Sequence, residues 1–155
     1  MPGRKIIITA ADGQTGHATA DLLLTDDELK AKHSGVTLIC GDPSKCVDLA
    51  EFGPKIVPVD YEADPVEDLV STMQDSGADA IYLIPPASGK KLKFVEKMLE
   101  AARKAEISNI LFLSSAGCDM AERQGQPNLR EFVDMEHMVM ENMTAVAGHS
   151  LVIIR

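Results

Sequence analysis

Six short apolar runs punctuate the chain, at residues 6–8, 36–40, 56–59, 80–84, 110–113 and 151–154, and β-branched residues dominate them. Near-continuous runs of this length suit strands that are buried on both faces. Between them, apolar residues recur at helical spacing around 18–24, 47–52, 66–73, 92–104 and 129–143. Strands that alternate with helices imply βαβ units and a parallel sheet, because a parallel neighbour needs a crossover long enough to bring the chain back. The expected class is therefore α/β.

Several boundaries carry start signals. Asp42-Pro43-Ser44-Lys45 reads as an N-cap aspartate with proline in the first turn. Asp64-Pro65-Val66-Glu67 repeats the arrangement with a capping-box glutamate, so both segments are expected to open helices. No internal repeat, low-complexity tract or linker divides the chain, and residues 1–155 are expected to form one domain. With 45% hydrophobic and 25% charged residues, that length can bury one sizeable core.

Charge narrows the partners. A formal net charge of -9 opposes binding to a polyanion, since phosphate neutralisation by Lys and Arg supplies most nucleic-acid affinity. Neither direct nucleic-acid binding nor an anionic membrane surface is expected. Cys40, Cys46 and Cys118 are too few and too irregularly spaced for a disulfide framework or a paired-cysteine zinc site, and read as buried thiols. The start lacks the basic, apolar and small-residue succession of a leader, so the expected location is cytoplasmic.

The candidate chemistry begins after the first run. Lys5-Ile6-Ile7-Ile8-Thr9-Ala10-Ala11-Asp12-Gly13-Gln14-Thr15-Gly16-His17-Ala18 reads as strand, tight loop and helix. A dinucleotide loop needs small residues so that backbone can approach a pyrophosphate, while free N–H groups and the helix N-terminus attract negative charge. Gly13 and Gly16 fit those roles, although Ala10 stands where the first glycine of the pattern falls. A plain strand-to-helix turn is the alternative.

The segment Ala10-Ala11-Asp12-Gly13-Gln14-Thr15-Gly16 resembles the spaced-glycine loop of NmrA-like proteins, an atypical group of short-chain dehydrogenases. The similarity continues through Gly41-Asp42-Pro43-Ser44-Lys45, Asp60-Tyr61, Leu83-Ile84-Pro85-Pro86-Ala87-Ser88 and Leu113-Ser114-Ser115-Ala116-Gly117. It implies a doubly wound Rossmann sheet of six parallel strands in the order 3-2-1-4-5-6. It also implies an NAD(P) site built from Ala10, Asp12, Gly13, Gln14, Thr15, Gly16, Gly41, Asp42, Lys45, Asp60, Tyr61, Ile84, Pro85 and Pro86.

Asp42, at the end of the second strand, is placed either to accept from the adenosine ribose, which favours NAD over NADP, or to cap a helix. Gly41 occupies the site where many relatives carry an arginine for the 2′-phosphate; Lys45 offers a less matched charge, and the lean is to NAD. Asp60 and Tyr61 fall where the family places a carboxylate and a backbone group against adenine, with a strand-end turn as competitor. Ile84, Pro85 and Pro86 are expected as wall.

A proton donor for hydride chemistry is harder to find. Ser114 and Ser115 end the fifth strand, where short-chain dehydrogenases place a catalytic hydroxyl, but the following helix has no Tyr-x-x-x-Lys pair and Phe132 takes the lysine site. His137 and Glu136 are candidates that read more simply as a surface histidine and a solvated carboxylate. Arg123 and Arg130 read as solvated charges, and Met135, Met138, Met140 and Met143 as adaptable apolar filler. No metal site is expected.

The resemblance implies a further region beyond the sixth strand that covers the cofactor and shapes a substrate pocket. The sequence ends at Arg155, so that region is expected to be absent, leaving an apolar surface exposed or covered by a protein partner or a second copy. The expected function is a cofactor-binding sensor or regulatory module. The alternative is an NAD(P)H-dependent oxidoreductase of a quinone, azo or carbonyl-like acceptor.

Overall fold

The computed structural model describes residues 3–144 and 148–155. Strands β1 (Arg4–Ile8), β2 (His33–Cys40), β3 (Lys55–Pro58), β4 (Ala80–Leu83), β5 (Asn109–Leu113) and β6 (Ser150–Ile154) form a sheet in the order β3-β2-β1-β4-β5-β6. Every pairing is parallel. Helices α1 (Gln14–Thr25), α2 (Asp27–Lys30), α3 (Val66–Ser76), α4 (Lys91–Lys104) and α5 (Pro127–Thr144) make the crossovers. This is the doubly wound order expected from the sequence, and each strand sits on an apolar run.

Side-chain alternation divides the core. Ile7 and Ile39 face one layer, with Leu69 and Met73 of α3, Phe94 and Met98 of α4, and Met135 and Val139 of α5. Ile8, Leu38 and Cys40 face the other, with Ala20 and Leu24 of α1 and with Cys46 and Leu49. Neighbouring residues of one strand therefore feed opposite cores, which is why the runs are apolar throughout. Cover on the second face is uneven: α1 spans β1 and its neighbours, whereas Val152 and Ile154 of β6 are 51% and 42% exposed. Together with Leu22, Tyr82 and Leu111 they border an apolar concavity of about 490 Å³.

Two boundaries differ from the sequence reading. Residues Pro43–Phe52 form a 3₁₀ segment rather than an α-helix. Its buried residues, Cys46 and Leu49, lie three apart, the period of a 3₁₀ turn, so the wider winding brings no further burial. Asp42 caps this segment as expected, accepting from the Ser44 N–H at 3.1 Å. Asp64, however, does not cap α3. The helix starts after Pro65 without a side-chain cap, and the Asp64 carboxylate instead accepts from the Asp60 N–H at 2.9 Å, closing the turn after β3. Nor does Glu67 form a capping box; it faces Lys104 at 3.5 Å.

The strands around the centre of the sheet are pinned where they part. Thr9, fully buried just past β1, donates from Oγ1 to the Ile84 carbonyl at 2.9 Å and accepts from the Ile84 N–H at 2.8 Å. One hydroxyl thus satisfies both backbone groups of the first residue beyond β4. The point at which strand order reverses, between β1 and β4, is held in a fixed opening.

Candidate functional site

The loop after β1 is built by close backbone contacts. Ala10 adopts φ 48°, the left-handed conformation that glycine reaches without strain. Its carbonyl accepts from Gly13 N–H at 3.0 Å. A β-carbon at Gly16 would collide with the Ala10 carbonyl oxygen and lie 2.7 Å from its carbon, so only glycine lets α1 start so near the loop. The Ala11 N–H, donating to Ile39 at 3.1 Å, moors the loop to β2.

The first turn of α1 is open. Gly13 is its N-cap, no side chain caps it, and no acidic residue lies in the first turn. N–H groups at Gln14, Thr15 and Gly16 have no intrahelical carbonyl to meet, and the helix dipole adds partial positive charge. Gln14 and Thr15 are exposed there while Gly16 is buried. The arrangement suits an anion.

Asp12 links this loop to the end of β2 by accepting from the Asp42 N–H at 3.0 Å. The Asp42 carboxylate takes the Ser44 hydroxyl at 2.5 Å and the Ser44 N–H through the same oxygen. Those bonds hold its pKa below the usual aspartate range, with a smaller contribution from Lys45, so it stays charged. Gly41 is exposed, and a β-carbon there would meet Asp12 at an ordinary 3.4 Å.

Asp60 accepts from Glu62 and Ala63 N–H groups at 2.9 and 3.0 Å, which depresses its pKa and makes it the centre of a strand-end turn. Tyr61 packs edge-on against Phe94, ring centres 4.7 Å apart, and donates to Ile39 at 3.4 Å. Burial, reinforced by Asp12, pushes its phenol up, so it serves as wall rather than acid.

Two cavities flank the opening between β1 and β4. One of about 780 Å³ is bordered by Gly41, Asp60, Tyr61, Pro86, Lys93 and Phe94. The other, about 620 Å³, is bordered by Thr15, Pro85, Lys91, Ser114, Ser115 and Phe132. Pro86 and Ser88 line both, so they form one trough across the carboxyl ends of the strands, with Thr15 of the first turn of α1 on the wall of the second cavity. Ile84, buried beneath, forms the floor of the second cavity.

Ser114 is 8% exposed, and its hydroxyl donates to Glu136 at 2.5 Å. Glu136 is not the solvated carboxylate expected from its helix position; it is 3% exposed and met by Arg155, Nε at 2.9 Å and Nη2 at 2.8 Å. The guanidinium, chiefly, overcomes burial and holds its pKa low, with help from Ser114 and Cys118. Because the Ser114 proton points at a carboxylate, the hydroxyl can offer the trough lone pairs but not a proton. Ser115 is half-buried on the cavity wall.

Other candidates fall elsewhere. His137 is exposed on α5 and borders neither trough cavity, since the helical turn that buries Met135 and Glu136 carries it outward. Arg123 is not simply solvated: it holds Asp134 with two bonds of 2.9 and 2.7 Å, and Arg130 donates to the Asp119 carbonyl at 3.0 Å. Sequence reasoning missed Lys91, which sits in an exposed-looking lysine run yet is 6% exposed and faces the second cavity. It also missed Arg155, whose partner lies on another element. Among the described residues no cluster of metal-ligating side chains occurs, and no helix is long and apolar enough to cross a membrane.

A family model described as NAD(P)H-binding matches residues 10–155, and the chain belongs to that family. Among solved structures, the chain is similar to NADPH-dependent quinone oxidoreductase QOR2 from Escherichia coli, solved with NADPH (24% identity, TM-score 0.76, covering 97% of this chain and 48% of that one). It is also similar to Citrobacter sp. triphenylmethane reductase complexed with NADP(H), at 19% identity and TM-score 0.71 over 88% of this chain and 45% of that one. A third is the UDP-Glc/GlcNAc 4-epimerase of Campylobacter jejuni, at 17% identity and TM-score 0.76 over 97% and 52%. The chain spans about half the length of these proteins. A search of the curated proteins finds no match.

Proposed function

We propose that the trough holds NAD(P)H with its pyrophosphate over the open first turn of α1, against Ala10, Gly13, Gln14, Thr15 and Gly16. The observation that carries this reading is that turn itself: uncapped, free of acidic residues, and packed on Ala10 through a glycine that admits no β-carbon. Asp12, Gly41, Asp42, Lys45, Asp60 and Tyr61 would then receive the adenosine half. Ile84, Pro85 and Pro86 would wall the nicotinamide half. The charged Asp42 disfavours a 2′-phosphate and supports the lean to NAD, while QOR2 was solved with NADPH and triphenylmethane reductase with NADP(H), so both cofactors belong in the titration.

Within that frame we read the chain as the nucleotide half of an NmrA-like protein acting as a cofactor-binding sensor or regulatory module. A bound reduced nicotinamide would supply a hydride, but the strand-end hydroxyl and the phenol are poor proton donors to it: Ser114 is committed to Glu136, Tyr61 is held protonated in the other cavity, and Phe132 stands at the lysine site. The uncovered face beside Val152 and Ile154 is read as the surface that takes a protein partner or a second copy.

The second reading, reduction of a quinone, azo or carbonyl-like acceptor, is favoured by Ser115 on the cavity wall and by the reductases among similar structures. Thermal unfolding with and without 1–5 mM of each cofactor tests the first reading, since a ligand of the native state raises Tm by mass action at about these millimolar levels. An unchanged Tm with all cofactors would sink it. Cofactor oxidation with an acceptor panel tests the second.

A further inference from the structure

We propose that Lys91 is the residue that grips the nicotinamide-side ribose, through its hydroxyl oxygens; the inference rests on the dinucleotide reading above. Lys91 opens α4, where the helix dipole disfavours a cation, and yet its side chain is 7% exposed. Two features compensate the buried charge. Glu131 Oε2 of α5 lies 2.6 Å from Nζ, and the Phe132 ring centre lies 5.8 Å from it.

Together they engage only part of the ammonium. At 2.6 Å the Glu131 carboxylate can take one of the three ammonium hydrogens, and no second protein acceptor for Nζ is found among the described residues. The ammonium hydrogens that Glu131 does not take are costly to bury unless something in the cavity receives them. Its neighbours do not share this fate: Lys90 is exposed and paired with Glu62 at 2.6 Å, and Lys93 is exposed beside the other cavity. Lys91 alone of the run turns into the second cavity, shared with Thr15 of the α1 first turn and with Ser114, whose oxygen offers lone pairs.

The chemistry that fits is a neutral, hydroxyl-rich unit joined to a phosphate at α1. Ribose hydroxyls would accept from Lys91 and donate to Ser114, while the flat ring would rest on Phe132 and the proline wall. Glu131 would neutralise and orient the ammonium without touching the ligand, which makes it a positioning residue.

Calorimetric titration of the whole chain with NADH, NADPH, ADP and nicotinamide mononucleotide tests this in wild type, Lys91→Met, Lys91→Arg and the double variant Lys91→Met/Glu131→Gln. The double variant replaces the ion pair by neutral groups of similar volume and so keeps the test open if Lys91→Met folds poorly. The expected result is a tenfold or greater rise in Kd for NADH and NADPH in Lys91→Met and in the double variant, an unchanged Kd for ADP, and partial recovery in Lys91→Arg. Unchanged dinucleotide affinity, or an equal loss for ADP, would overturn the assignment. Wild type that binds ADP as tightly as the dinucleotides would also overturn it while sparing the dinucleotide reading; wild type that binds none of them would remove both.

Discussion

Thr9 allows a sharp test of how the opening between β1 and β4 is held. In Thr9→Val the volume is kept and the hydroxyl lost, so the Ile84 N–H and carbonyl both lose their partner in a fully buried site. Each stranded group costs about 1–3 kcal/mol, and relief from burying the hydroxyl itself offsets part, leaving a net loss of about 2–4 kcal/mol. Thr9→Ser keeps the hydroxyl and removes one methyl, costing about 1 kcal/mol by transfer with a small cavity term. At about 2–4 °C per kcal/mol for a domain of this size, Val should melt roughly 5–15 °C below wild type and Ser only a few degrees below. Urea unfolding at matched conditions gives the same ranking in free energy. An apolar-packing account predicts the reverse order, so Val equal to or more stable than Ser would refute the clamp.

The pH dependence of stability should carry the signature of Glu136. Its folded pKa is held below the ordinary 4.5, so it stabilises the fold above that value and the contribution fades as pH falls through the folded pKa. Glu136→Gln should therefore lose about 1–3 kcal/mol at pH 7, with the gap to wild type shrinking on acidification, read by urea unfolding at pH 7 and pH 3; a gap that widens in acid would contradict the assignment. Gly41→Arg should fit without rearrangement, since its β-carbon meets nothing closer than 3.4 Å, and should improve the NADPH-to-NADH affinity ratio by about tenfold, measured by calorimetry. An unchanged ratio would place the 2′-position elsewhere.

The fold was legible because one signal repeated. Short β-branched apolar runs with Ile7 and Ile8, or Leu38 and Ile39, side by side suit a strand covered on both faces, and the intervening lengths suit helices. The glycine loop was legible for a similar reason: Gly13 and Gly16 sit at a strand-to-helix junction, and the geometry that excludes a β-carbon at Gly16 is local. What escaped depends on partners distant in the chain. Glu136 is buried because Arg155 and Ser114 reach it from just beyond the ends of β6 and β5, and Lys91 because Glu131 arrives on α5. Neither is encoded in the spacing of its own helix. Asp64 misled because an Asp-Pro pair at a helix start serves equally to close the turn before it.

On the proposed reading, the bare first turn of α1 receives a dinucleotide pyrophosphate. Calorimetric titration of wild type and Gly16→Val with NADH and NADPH tests it most directly, because the added side chain must displace the loop at Ala10 or the helix start while the rest of the trough stays as it is. Saturable binding in wild type, weakened by tenfold or more in a Gly16→Val protein that still unfolds cooperatively, is the predicted result. No binding in wild type, or equal affinity in both proteins, would contradict it.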